Sequence, residues 1–186
     1  MHRTPRLLRL GLLVGVVATL VAGAVTLSGC SPPGDEETKT EELGVYFISN
    51  GENALAVTRE VTEPEDSDLA TVAMEELLAG LTEQELETQP ALSTGIPEST
   101  ELLGVTIDGD TAKVDLSSDF EEGAGTSMET NSRVAQVVYT VTDIDGISAV
   151  LFRMEGAPVD SFGDNGLDLS MPQPASEWED TIPIDA

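Results

Sequence analysis

The sequence predicts an α+β domain, and three observations carry that reading. Apolar and polar residues alternate on both sides of a turn over 105–116, as a half-covered antiparallel hairpin requires. Ala70, Ala73, Met74, Leu77 and Leu81 fall at helical spacing. Residues 147–154 are almost all apolar and follow the turn sequence Asp143-Ile-Asp-Gly146, the pattern of a strand covered on both faces.

The chain begins with a cationic stretch (His2, Arg3, Arg6, Arg9), followed by an uncharged run from Leu10 to Leu27 and the small residues Ser28 and Gly29 before Cys30. That is the anatomy of a secretory signal. Eighteen uncharged residues could also cross a bilayer as a permanent helix. Glycines at 11, 15, 23 and 29 and the abrupt change to Ser-Pro-Pro-Gly after Cys30 favour processing. Leu27-Ser28-Gly29-Cys30 resembles the lipobox of bacterial lipoproteins, in which the cysteine thiol receives a diacylglyceryl group and the preceding peptide is removed. The resemblance makes 1–29 a lipoprotein signal peptide and Cys30, the only cysteine, the lipid attachment site. It places the mature chain on the extracytoplasmic face of the cell membrane. Residues 30–43 read as a lipidated acidic tether: from 31 to 42 prolines are the sole apolar side chains. Twelve such residues reach at most about 40 Å.

Val45-Tyr46-Phe47-Ile48 opens the domain as a strand, and Ser-Asn-Gly-Glu-Asn turns it. Leu55, Val57 and Val61 alternate with polar or small residues in a second strand stopped by Pro64. Asp66 or Ser67 can cap the helix over 70–81, and Gly80 stands where it should end. A loop over 82–100, rich in Glu, Thr and Ser, leads to the hairpin, which turns at Asp108-Gly109-Asp110. Thr126 and Glu129 match a capping box. The segment behind it carries Val134, Val137, Val138 and Val141 at helical spacing. Its many β-branched residues leave helix and strand both open on periodicity alone. From 158 to 186 the chain reads as an irregular acidic tail, with Trp178 either docked or exposed. There is no internal repeat.

Several stretches resemble the GerMN domain of spore-germination GerM-type proteins and of Gram-positive envelope lipoproteins. They are Val45-Tyr46-Phe47, Ala73 to Gly80, Gly95-Ile-Pro97 with Thr100 to Val105, Ala112 to Ser117 with Phe120, Gln136 to Thr142, and Val150-Leu-Phe152 ending at Gly156. The resemblance covers 44–157 in a single copy, where some family members carry two. It implies that the valine-rich segment is a helix. It also implies the order ββαββαβ, with two helices packed on one face of a small mixed or antiparallel sheet, and no known catalytic residues. Gly95 and Pro97 are expected to shape the loop into the hairpin, glycine by accepting φ > 0 and proline by its fixed φ. Gln136 is expected to be a satisfied core amide.

Composition then limits the chemistry. Of eight Lys/Arg, three lie before Cys30; the remaining five face 35 Asp/Glu, a formal charge near −30. Such a surface repels nucleic acid and gains nothing from anionic lipid. It suits cationic proteins, bound cations or a saline habitat, where the Debye length shrinks to about 3 Å at 1 M salt. The one histidine, His2, leaves with the signal, so the mature chain lacks the parts of a Ser-His-Asp, Cys-His or Cys/His zinc site. Asp108/Asp110, Asp143/Asp145 and Asp164/Asp168 could offer oxygens to Ca²⁺, yet none has the EF-hand pattern and Asp-Gly is ordinary turn chemistry. A carboxylate pair for glycoside hydrolysis is formally available. Nothing locates a cleft for it, and seven aromatic residues, mostly in core segments, leave little to stack on sugar. The expectation is a non-enzymatic envelope module without cofactor or metal. Its partner is expected to be an exported or membrane protein, met through the sheet face or edge; peptidoglycan or another wall ligand is the second reading.

Overall fold

The computed structural model describes residues 40–62 and 68–185. The signal segment, Cys30, the tether to residue 39, and Asp66 and Ser67 lie outside the described residues.

Strands β1 (Thr40–Ser49) and β2 (Asn53–Thr62) pair antiparallel along their whole length, from Thr40 opposite Thr62 to Ser49 opposite Asn53. Pairing starts inside the stretch expected as tether because Leu43 already points into the core. Helix α1 (Leu69–Leu78) follows, its first turn capped by Asp68, whose carboxylate accepts from the Thr71 amide at 2.8 Å. Gly80, at φ +75°, ends it in the left-handed region that glycine enters without penalty.

The expected loop over 82–100 contains a short helix, α2 (Glu83–Thr88), and strand β3 (Leu92–Ser93), which pairs with the end of β1. Thr82 and Glu85 form a reciprocal capping box at α2. The hairpin is β4 (Leu102–Asp108) and β5 (Thr111–Leu116). Ala112, Val114 and Leu116 are all fully buried, as alternation requires. Strand β4 is the edge of its sheet, and Ile107 stays 40 % exposed on it.

Helix α3 (Ser127–Thr142) resolves the ambiguous segment, with Thr126 and Glu129 forming the expected capping box. It is buried over most of its circumference, from Thr130 to Val141, so its β-branched residues serve as core packing. Val134, Val137, Val138 and Val141 have no exposed surface; each such burial contributes roughly 1.5–3 kcal/mol. The helix crosses over to β6 (Ala149–Met154), which lies parallel to β5, as a strand–helix–strand connection permits. Strand β7 (Ala157–Pro158) completes a four-stranded mixed sheet in the order β4-β5-β6-β7, beside a three-stranded sheet β2-β1-β3. The fold is α+β in the expected element order, with α2 and β3 added in the long loop and the strands from β1 to β7 divided between two sheets rather than forming one.

The segment after 158 has little regular structure, only the two-residue strands β8 (Ser161–Phe162) and β9 (Leu167–Asp168) and a short 3-10 turn. It is nevertheless part of the core. Phe162, Leu169 and Ile182 are fully buried, Trp178 is docked, and Phe162 packs against Phe120 with ring centres 5.1 Å apart. Gln173 exchanges both backbone hydrogen bonds with Val150, and the Tyr139 hydroxyl donates to the Ile182 carbonyl at 2.7 Å. Acidic composition hid this, because the apolar residues are spaced singly among turns.

Candidate interaction surface

A concavity lined by both charged and apolar groups lies where β1 begins, α1 starts and α3 ends. A groove of about 470 Å³ is floored by Leu43, Leu69 and Ile144 and edged by Glu41, Glu42, Asp143 and Asp145. A second hollow of about 200 Å³ shares Leu69, Ile144 and Asp145 with it and extends past Asp68 to Ile107 and Ile147. Together they form one furrow with an apolar floor and a carboxylate rim.

Asp143 is held in its rim by two neighbours. It closes the C-terminus of α3, where a negative charge opposes the helix dipole by roughly 0.3–1 kcal/mol at exposed sites. Two contacts hold it there. The Tyr46 hydroxyl donates to its Oδ1 at 3.2 Å, and the backbone of Gly44 lies so close that a Cβ there would stand 2.3 Å from Oδ2. Tyr46 is itself tied to α3, its amide donating to Thr140 Oγ1 at 3.0 Å, and its ring leans on Tyr139 at 5.6 Å. Burial, followed by the Asp143 charge and hydrogen bond, pushes the Tyr46 phenol up to about 12.

No described Lys or Arg lines the furrow, because the described cations are engaged elsewhere. Arg59 reaches over the Phe47 ring to the carbonyls of Glu76 and Gly80 and to the carboxylates of Glu76 and Glu85, at 2.6–3.1 Å. It thereby clamps the end of α1 to α2, a favourable place for a cation. Arg133, only 4 % exposed, donates to the carbonyls of Gly95, Phe120 and Glu122 and lies over the Phe120 ring. Burial lowers its pKa, with Glu129 acting in the other direction, yet a guanidinium keeps its proton in proteins. Lys113 pairs with Asp108 at 2.7 Å, and Arg153 sits between Asp115 and the Gly156 carbonyl. The outward field of the described domain is therefore set by carboxylates.

Of the acidic pairs singled out in the sequence, Asp143 and Asp145 share the rim of the groove, while members of the other two are engaged locally. Asp108 faces Lys113, Asp110 accepts from the Ser148 hydroxyl at 2.7 Å, and Asp168 accepts from the amide and hydroxyl of Ser170. Among the described residues no three His, Cys, Asp or Glu gather to hold a metal. Gly95 does not adopt the left-handed backbone expected of it; its contribution is the carbonyl that receives Arg133. The Pro97 carbonyl accepts from the Thr100 amide, turning the chain toward β4. Gln136 is buried as expected but is not the satisfied amide expected: Nε2 donates to the Ser132 carbonyl at 3.1 Å, and Oε1 has no partner among the described residues. Among the described residues no helix is long and apolar enough to cross a membrane.

A family model described as "Germane: Sporulation and spore germination" matches residues 44–160. The chain belongs to the Germane family. A single Germane domain accounts for most of its described residues. The tandem GerMN domains of the sporulation protein GerM from Bacillus subtilis are similar in fold, with a TM-score of 0.60 at 19 % identity. That match covers 75 % of this chain and 48 % of the tandem, so the chain spans about half the length of that structure. The first GerMN domain of the same protein gives a TM-score of 0.54 at 19 % identity, over 75 % of this chain and 99 % of the domain. A Clostridium perfringens protein described as a candidate lipoprotein gives 0.53 at 22 % identity, over 74 % and 89 %. At these identities the likeness is one of fold. Comparison with curated protein sequences gave no significant match.

Proposed function

We propose that this Germane-family chain is a lipid-anchored, non-catalytic module of the cell envelope that works by binding another exported or membrane protein. Its setting would be a sporulation, germination or signalling assembly of a Gram-positive cell. The observation that carries the anchor is the run Leu27-Ser28-Gly29-Cys30 behind a basic and then apolar N-terminus. Acyl chains contribute about 0.8 kcal/mol per buried CH₂, so two or three hold a protein stably at a membrane. A non-catalytic role is supported by what remains after processing, a chain with no histidine and its one thiol acylated. The family description supports the sporulation or germination part of that setting.

Detergent-phase partitioning of Cys30→Ser tests the anchor. The variant should leave the detergent phase or accumulate as precursor; a variant both processed and partitioned like wild type refutes lipidation. Crosslinking in intact cells should join the wild-type chain to a protein neighbour. Saturable sedimentation on purified peptidoglycan with no protein neighbour would replace this reading with wall binding.

A further inference from the structure

We propose that the furrow between the start of α1 and the end of α3 docks a segment of that protein partner carrying Lys or Arg beside apolar residues. The proposal rests on the protein-binding reading and names its contact surface. Leu69, Ile144 and Ile107 provide a floor that only apolar groups fill favourably. Glu42, Asp68, Asp143 and Asp145 stand along the rim, and among the described residues the lining contains no cation.

Charge decides between occupants. The neighbouring stretches of this chain are themselves acidic: 31–39 holds Asp35, Glu36 and Glu37 against Lys39, and 63–67 holds Glu63, Glu65 and Asp66. A second copy related by a two-fold axis would set the same carboxylates against each other. Either occupant places like charges together in a partly desolvated groove, which costs affinity. A basic, partly apolar segment satisfies floor and rim at once. Asp143 adds a geometric argument. It is retained at a helix end that disfavours it, with Gly44 leaving it room and Tyr46 orienting it. A cation arriving over the groove meets that carboxylate together with the dipole of α3, both of the attractive sign.

The test uses the full lipid-anchored chain in its own cells. A photoreactive benzoylphenylalanine replaces Ile107 in the furrow or, as control, Met171, which is 67 % exposed and outside it. Crosslinked peptides are sequenced by mass spectrometry. The Ile107 probe should label a segment of another protein bearing Lys or Arg next to apolar residues. The yield should fall about tenfold in the doubly reversed chain Glu42→Lys/Asp145→Lys and in 1 M salt, where the Debye length drops to about 3 Å. Thermal unfolding checks that the reversed chain still folds, and Glu42→Gln/Asp145→Gln serves in its place if it does not. Labelling of the same chain, a second copy, lipid, or an acidic or neutral segment overturns the proposal. So does a yield indifferent to rim charge. Labelling from Met171 alone defeats the groove while keeping the protein-binding reading; no protein label from either position defeats both.

Discussion

The Asp143 carboxylate, where it stands, leaves no room for a side chain at Gly44. A methyl group there would lie 2.3 Å from Asp143 Oδ2 and 3.3 Å from its Cγ. The carboxylate can yield only by swinging away from the Tyr46 hydroxyl that it accepts from. Gly44→Ala should therefore cost about 1 kcal/mol, the net worth of one hydrogen bond. In an Asp143→Ala background the same change should cost close to nothing. A double-mutant cycle by urea denaturation measures the difference, and equal costs in both backgrounds would contradict the contact.

Arg59 holds two helices through four acceptors, and its loss leaves carbonyls and the Glu85 carboxylate unpaired. Arg59→Met should destabilise the domain by about 2–3 kcal/mol. Lys at this position should recover only part, since it lacks the planar fork that reaches all four. Chemical denaturation of the three chains gives the order.

Glu85 carries a pH signature. The Arg59 hydrogen bond, opposed by burial and helped by the Thr82 cap, holds its pKa below the usual carboxylate value of 4.5. Its folded pKa is depressed, so its stabilising contribution is present above pH 4.5 and disappears as pH falls through the lower folded value. Glu85→Gln should be less stable than wild type at pH 7, and the gap should narrow below pH 4.5. A gap constant from pH 7 to 3 would show that Glu85 has no ionic role.

Both tyrosines of the chain titrate late, each pushed up to about 12, chiefly by burial. A raised folded pKa stabilises below the unfolded value of 10.0, and that contribution is lost as pH rises toward 12. Phenolate absorbance should therefore appear together with unfolding above pH 10 rather than before it. Tyr46→Phe should retain the Tyr139 transition. Early, independent titration of either ring would mean that it is solvated.

Trp178 and the segment around it belong to the folded unit. Trp178→Ala should cost about 3–5 kcal/mol. A chain ending at 157 should lose cooperative unfolding altogether, because Phe162, Leu169 and Ile182 vanish with it. Near-native calorimetric behaviour of the truncated chain would show that the tail merely rests on the surface.

The sequence exposes what is local. Alternation at Ala112, Val114 and Leu116, the capping box at Thr126 and Glu129, and the stop at Gly80 all appear where the structure has them. The α2 cap at Thr82 and Glu85 was equally legible, since it is the same four-residue signal, but it opens a helix with no buried residue and therefore no apolar stripe. The furrow was not legible. Its lining comes from β1, the start of α1 and the turn after α3, nearly a hundred residues apart, and only tertiary packing brings Leu43, Leu69 and Ile144 together. The tail escaped for a related reason: Leu169 and Ile182 are buried in the common core with residues far from them in sequence. For Cys30 the sequence supplies the whole argument.

The inward turn of Arg59 and Arg133 separates two kinds of constraint on this chain. Acidic side chains on its exterior can multiply or disappear with the salinity of the surroundings without disturbing the scaffold, whereas either arginine, once replaced, takes a joint between elements with it. Evolution can thus retune the coat while the frame stands still.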